Sequence, residues 1–340
     1  MLILMPKQVL INIICAAVFL SGGKAVAQME ELQQIGRLID DAIFFSGKYI
    51  TPATDAAVYQ AASGWVSTPQ ERKRWDFSLS LHTNIFFVPQ SDRSFTVQNS
   101  DFRFFSLEQG TSASVPTALG SDDQVYLTGQ LGNNQVRLET PEGIDREAVI
   151  YPYLQGTLAI GWGTELVVKY SPEVKLKRSE YQVYGFGIKH NFSRYIESLQ
   201  HKKIFLSLLA AYSKEDVTFE FFNVNTAVGT LGIDSLNGLV DTWQLQVNGC
   251  KAIGSFEFMG GFIINTSKIK YKVGGERGSI EDIIPLRDVL NNRLKELYKT
   301  RTNYIGEASV KYNIGNFSIQ SILAFGKFVN TNVSIQYLFI

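Results

Sequence analysis

From Asn332 to Ile340 the chain alternates strictly, with Val333, Ile335, Tyr337 and Phe339 on one face and Asn332, Ser334 and Gln336 on the other. A period of two places one face against apolar surroundings and the other against water, the pattern of a membrane-barrel strand. The same rhythm runs from Trp75 to Val88, where Trp75, Phe77, Leu79, Leu81, Ile85 and Phe87 oppose Asp76, Ser78, Ser80, His82 and Asn84. That stretch is long enough to cross a bilayer at a barrel's tilt. Further strands are expected over 151–162, 164–176, 180–191, 203–213, 216–224, 240–252, 255–272, 302–313, 316–328 and 331–340. Residues 89–147, with short apolar runs amid Gly, Ser and Asp, predict one or two more hairpins and a long loop.

Helical spacing occurs in fewer places. Leu32, Ile35, Leu38, Ile39 and Ala42 recur with charged residues between them, predicting a short amphipathic helix. Gly47 to Pro69 is rich in Ala, Ser, Thr, Gly and Pro, predicting an extended or turn-filled segment that lies in the lumen as a plug. Asn191 to Gln200 predicts a short helix between strands. Ser279 to Lys299 predicts a longer one, with Ile280, Ile283, Ile284, Leu286, Val289, Leu290, Leu294 and Leu297 on its apolar side.

The first 27 residues read as a secretory signal. Lys7 precedes the apolar run Val9 to Leu20, and Ala25-Val26-Ala27 supplies small residues for cleavage. Export followed by alternating strands predicts an all-β fold, a transmembrane antiparallel β-barrel of about 12 to 14 strands in the cell outer membrane. The expected organisation is a signal peptide at 1–27, an N-terminal helix and plug-like segment at 28–74, and the barrel at 75–340.

Composition narrows the function. Lys+Arg and Asp+Glu both number 32, which removes an electrostatic case for nucleic acid. The 23 Phe, 15 Tyr and 4 Trp suit rings placed at two membrane interfaces. Cys15 lies in the signal peptide, so Cys250 is alone in the mature chain, which excludes an intramolecular disulfide. It is expected as a small apolar strand residue.

The three histidines carry little chemistry. His82 shares a strand face with Ser78, Ser80 and Asn84, but neighbours on one face are about 7 Å apart, too far for a direct hydrogen bond. A hydrogen-bonded lumen residue is the reading for His82, and a loop or interface position for His190 and His201. No enzyme, metal site or cofactor is expected. Charges on strands must avoid lipid, where a basic residue near the midplane costs about 2 to 4 kcal/mol. The candidate lumen-lining residues are therefore His82, Asn84, Gln244, Gln246, Glu257, Glu307 and Lys311. They would line a route or form a ladder that holds the interior shut. The cluster Lys175, Lys177 and Arg178 is expected to face lipopolysaccharide or water.

Ser63-Gly64-Trp65, Trp75-Asp76-Phe77, Phe87-Val88-Pro89 and Tyr184-Gly185-Phe186-Gly187-Ile188-Lys189-His190 carry a resemblance. Through them the chain resembles an uncharacterised family of Bacteroidota outer-membrane proteins, itself distantly similar to the long-chain fatty-acid transporters. The resemblance implies a plugged, porin-like barrel and transport of small hydrophobic molecules by passive uptake. A closed structural or interaction barrel is the alternative. Expected partners are outer-membrane lipid and lipopolysaccharide, the barrel-assembly machinery through the C-terminal strand, and a small hydrophobic ligand, with the protein a monomer.

Overall fold

The computed structural model describes residues 7–132, 134–176, 179–220, 225–226, 229–230, 232–276, 278 and 285–339. The chain divides into two compact units, one of residues 1–45, 96–114 and 125–140, the other of residues 46–95, 115–124 and 141–340.

The second unit is built on a closed antiparallel barrel. Its ten strands, among the described residues, are β1 (Phe77–Phe87), β2 (Ala148–Gly161), β3 (Thr164–Leu176), β4 (Ser179–Asn191), β5 (Ile204–Glu220), β6 (Ser235–Ile253), β7 (Phe256–Gly274), β8 (Lys299–Ile314), β9 (Phe317–Phe325) and β10 (Val329–Phe339). Each pairs with its sequence neighbours, and β1 closes the cylinder by pairing with both β2 and β10, setting Phe77 opposite Leu158 and Phe339. Closure removes the unpaired edges that an open sheet would present. The ladder slips between Ser171 and Val174, where Pro172 has no N–H to donate.

Alternation sorts the side chains as expected for a wall between two media. Leu79, Leu81, Val168, Ile188, Leu245, Ile264, Val310, Ile319, Leu323 and Ile335 are exposed on the outer face. Aromatic rows bound this apolar band, with Phe77, Trp162, Phe256, Tyr312, Phe317 and Phe339 toward one end and Tyr170, Tyr184, Trp243 and Tyr304 toward the other. From Trp243 to Ile253 is ten residue-to-residue steps of β6, about 25 Å of height at a rise of ~3.3 Å and a tilt of about 40°. That matches the apolar height of a bilayer-spanning barrel. No described helix is long and apolar enough to cross a membrane.

The two ends differ. Where β1 begins, the connections are residues 162–163, 192–203, 254–255 and 315–316, and β10 ends there. The opposite end carries 88–147, 221–234 and 275–298, besides the short 177–178 and 326–328. The connection 192–203 holds α2 (Glu197–His201) after a short 3-10 turn, and 275–298 holds α3 (Leu286–Leu294), whose Leu286, Leu290 and Leu294 are buried. Ile280, Ile283 and Ile284 of the expected longer helix lie outside the described residues.

Three expectations are corrected. The barrel has ten strands rather than 12 to 14, because the pieces between residues 89 and 147 are too short to cross; Ser106–Leu107, Tyr126–Leu131 and Asn134–Glu139 form a separate three-stranded sheet in the first unit. The strands expected at 203–213 and 216–224 are one, β5, which runs through Lys214, Glu215 and Asp216. Helix α1 (Lys7–Ala62) continues through Pro52 to Ala62, where an extended segment was expected. The good helix former Ala at 53, 56, 57, 61 and 62 outweighs the breakers there. The side chains of the signal-like stretch 7–27 lie outside the described residues.

The first unit has its own fastening. Buried Asp41 of α1 accepts the backbone N–H groups of Arg103 at 2.8 Å, Phe104 at 2.8 Å and Phe105 at 2.9 Å. On its surface the Glu108 carboxylate takes Arg137 in a two-point fork at 3.0 and 2.9 Å, which holds it below the ordinary carboxylate range.

Candidate functional site

The interior of the barrel is occupied by the chain itself. Residues 46–62 of α1 and the irregular stretch 63–76 pass along the bore, and their partners change in step with their position. At the end of the long connections, Tyr49 donates to Glu142 O at 2.7 Å, and Thr54 meets the Tyr271 hydroxyl at 3.2 Å. Asp55 draws three cations, Lys299 at 3.0 Å, Arg301 at 3.3 Å and Lys327 at 3.3 Å. Tyr59 packs edge-on against Phe328 at 5.0 Å.

Below that point the helix ends, and its free carbonyls need donors. Lys169 Nζ of β3 reaches Ala61 O at 3.1 Å and Ser63 O at 2.8 Å, a buried cation set at the negative end of a helix. It also lies 4.5 Å from the Trp65 ring and 4.6 Å from that of Tyr153. Gln244 donates to Ala62 O at 3.0 Å, Tyr153 to Gly64 O at 3.5 Å, Gln155 to Trp65 O at 3.2 Å and Gln320 to Val66 O at 3.4 Å. Glu307 accepts Gly64 N–H at 3.2 Å, and Asn330 donates to the Ser63 hydroxyl at 2.8 Å. The wall side chains thus do for this segment what a neighbouring strand does in a sheet.

Toward the other end, Thr68 donates to Glu257 at 2.6 Å and its carbonyl accepts from Lys189 at 2.6 Å. Asn191 donates to Pro69 O, Glu71 pairs with Arg194 at 3.1 Å, and Arg72 donates to the Ser78 hydroxyl at 2.6 Å. Trp75 N–H then joins Ala159 O at 2.8 Å, and β1 begins. Nine strands supply a polar partner among the described residues; β5 places Leu209 and Ala211 in an apolar cluster with Trp65, Val66 and Val167. The fit is close at two glycines. A Cβ on Gly238 would lie 2.5 Å from Thr54 Cγ2, and one on Gly185 would lie 2.9 Å from the Trp65 ring.

All seven candidate lumen residues are buried on the inner face. The structure joins Gln244, Glu257 and Glu307 to the inner segment, links Gln246 to Asn248 at 2.8 Å and to Glu307 at 3.4 Å, and sets Lys311 4.0 Å from Glu257. Asn84 donates to the Tyr151 hydroxyl at 2.7 Å. Other inward residues were legible by the same alternation but not singled out: Lys169, Lys189 and Glu165, the last two a buried ion pair at 2.8 Å. Cys250 also faces inward, its thiol 3.7 Å from Glu257, rather than serving as a purely apolar filler.

His82 departs from expectation in one respect. Its Nε2 lies 2.9 Å from Ser80 Oγ on the same strand, because the two side chains lean toward each other along the wall and close the gap between their Cα atoms. Nδ1 lies 2.9 Å from Asn332 Oδ1, whose amide nitrogen donates to Tyr153 at 3.1 Å. With that amide orientation Nδ1 carries the proton, and the one Ser80 hydroxyl hydrogen is shared between Nε2 and Gln155 O, the latter at 3.2 Å. The order is that of a nucleophile, a base and an orienting amide. Yet Ser80, His82 and Asn332 are at most 2% exposed, with Tyr153 stacked 4.5 Å from the imidazole, so no substrate carbonyl reaches the hydroxyl in this state. His190 takes Thr164 at 2.9 Å, and the exposed His201 lies 3.4 Å from Glu197. Lys175 pairs with Glu180 at 3.1 Å, while Lys177 and Arg178 lie outside the described residues. Among the described residues no group of three His, Cys, Asp or Glu is placed to hold a metal.

Several solved structures are similar in architecture. The attachment invasion locus protein Ail of Yersinia pestis, solved with the heparin analogue sucrose octasulfate, is 9% identical over 78% of this chain and 100% of its own, with a TM-score of 0.27. The β domain of the Bordetella autotransporter BrkA is 8% identical over 78% and 99%, with a TM-score of 0.33. An outer membrane channel from Pseudomonas putida F1 is 6% identical over 81% and 99%, with a TM-score of 0.34. No curated protein matches the sequence. One family model spans residues 5–339, almost the whole chain, and the protein therefore belongs to the family described as a family of unknown function, DUF6588.

Proposed function

We propose that this protein is a monomeric outer-membrane barrel held shut by residues 46–76, acting through what it presents at the membrane surface rather than as a standing pore. The observation that carries this reading is the occupied bore, in which successive carbonyls from Ala61 to Val66 are tied to the wall. The exposed apolar band between aromatic rows supports residence among lipid and lipopolysaccharide, and the alternating β10 suits recognition by the barrel-assembly machinery. The inward charges serve as the ladder that keeps the interior closed, and no cofactor enters this reading.

Passive uptake of a small hydrophobic molecule is the second reading. The feature on which it rests is a small recess lined by Ala53, Ala57, Phe86, Val149, Val217 and Phe219, with a cavity volume of about 30 Å³. Passage beyond it would require the segment to move aside.

Conductance of the purified protein in planar bilayers separates the two. The intact protein is expected to stay silent, and removal of residues 46–69 to open it. Deleting only Gln28 to Thr51 leaves the tethered carbonyls in place and is expected to leave it silent. Steady conductance from the intact protein would overturn the sealed-barrel reading.

A further inference from the structure

Strand β7 carries a row of cations on its outer face. Lys268, Lys270 and Lys272 are exposed and alternate with the buried Ile269, Tyr271 and Val273, so all three side chains leave the same side of the wall as the apolar band. The row begins where that band stops. Thr266 lies opposite Trp243 of the aromatic row at the long-connection end, and Lys268 is the next outward residue of β7. At a rise of ~3.3 Å per residue and a tilt of about 40°, the three lysines stand about 5, 10 and 15 Å beyond the level of that ring.

Counter-charge is scarce around them. Asp241 of β6 lies opposite Lys268 on one side and opposite Lys214 of β5 on the other, pairs with Lys270 at 3.4 Å and accepts the Tyr212 hydroxyl at 2.9 Å. One carboxylate thus serves three cations. Lys272 lies opposite Asn237 and has no carboxylate partner among the described residues. Asp216, the other outward acid of β5, lies opposite Leu239 and takes Thr218 at 3.5 Å, and the outward neighbours on β8 are Thr300 and Thr302. Lys175, by contrast, is held by Glu180 at 3.1 Å. A closed barrel has no sheet edge for lysines to guard, which removes one structural reason for such a row. Like charges repeated along one strand face repel, and anions from outside relieve that repulsion.

We propose that this face of β6 and β7 is a lipopolysaccharide site, with Lys268, Lys270 and Lys272 gripping the anionic groups and the exposed Leu245, Phe262 and Ile264 of the apolar band taking the acyl chains. The height of the row selects the partner. A phospholipid headgroup layer is about 5 to 7 Å thick and offers one level of phosphate, which Lys268 alone matches. Lipopolysaccharide carries phosphates at that level and further acidic groups on the sugars above it, where Lys270 and Lys272 stand. The inference rests on the reading of an outer-membrane barrel with its long connections outside, the side on which this glycolipid lies.

Titration of the intact, fluorescently labelled protein in detergent with rough lipopolysaccharide, and separately with phosphatidylglycerol, tests it. Lys268→Gln, Lys270→Gln and Lys272→Gln are combined in one variant, and Lys73→Gln, Lys202→Gln and Lys251→Gln, all exposed and at the tight-turn end, form a control of equal charge change. Heat-modifiable migration on gels checks that each folds. The parent and the control are expected to bind lipopolysaccharide equally, and the row variant roughly 100-fold more weakly, at about fivefold per lysine. Lys272→Gln alone, which leaves Asp241 its partners, is expected to cost about fivefold and stands in if the triple variant fails to fold. Undiminished lipopolysaccharide binding by a folded row variant would overturn the site, as would an equal loss in the control. Row-dependent binding of phosphatidylglycerol as tight as that of lipopolysaccharide would overturn the choice of partner and leave the barrel reading intact. Failure of the parent to insert into liposomes would overturn the barrel reading itself.

Discussion

Replacing Lys169 by Met should loosen the inner segment. The ammonium makes two charge-assisted bonds, to Ala61 O and Ser63 O, each worth about 1.5 to 3 kcal/mol, and its desolvated contacts with the Trp65 and Tyr153 rings add about 2 kcal/mol. Against this, an ammonium taken out of water costs several kcal/mol, which the methionine recovers. Ala61 O also keeps the Trp65 indole N–H at 2.7 Å, so Ser63 O is the carbonyl left bare. The balance is a loss of about 3 kcal/mol, or roughly a 150-fold rise in the released state at about 1.4 kcal/mol per factor of ten. Opening frequency in planar bilayers measures it, with protease sensitivity of residues 46–72 as a second readout. A Lys169→Met protein that folds, stays as silent as the parent and resists protease equally would refute the account of the seal.

Other changes test neighbouring parts of the same design. Gly64 has φ +75°, and a Cβ there would lie 2.3 Å from the Tyr153 hydroxyl; Gly64→Ala should lower the urea midpoint, and adding Tyr153→Phe should recover part of the loss. Glu165→Gln leaves Lys189 buried without its carboxylate partner and should cost about 3 to 5 kcal/mol in unfolding measurements, whereas Lys175→Ala, which breaks an exposed pair, should leave the unfolding midpoint nearly unchanged. In the first unit the folded-state value of Glu108 is lowered by Arg137, so the stability it adds is present above the ordinary carboxyl value and fades as pH falls through the lowered one. Carboxyl titration followed by NMR should show that depression vanish in Arg137→Met. Ser80 should fail to react with a fluorophosphonate probe in the folded protein, and rapid labelling would contradict the enclosed geometry of its partner His82.

Much of the wall was legible because hydrocarbon and water write a period of two, and residues such as Glu257 and Lys311 declared their inward phase by sitting between exposed apolar neighbours. The rule lapses where the medium changes. Beyond Tyr212 the outer face of β5 carries Lys214 and Asp216, which together with inward Glu215 spell three consecutive charges and read as a break. The strand is merely leaving the apolar band. The later part of α1, beyond Gly47, was hidden for a related reason. A helix enclosed by a wall on all sides needs no apolar stripe, so Thr54, Asp55 and Gln60 find partners or cover around the bore, and the 3.6 period that betrays a surface helix is absent. The fastening of the inner segment was the least legible part, since many of the groups that hold it are main-chain carbonyls, which every residue possesses and no letter of the sequence marks.

The near contact of Gly238 with Thr54 has a corollary for how this molecule tolerates change. A ten-strand cylinder is scarcely wider than the rod it sheathes, so bulk is shared between sleeve and rod with almost no slack. A methyl gained on one must be surrendered by the other, and Gly238→Ala should be accepted far better when Thr54 is trimmed to Ser than alone. Sleeve and rod are in this sense one fitted pair, and neither can drift in size independently.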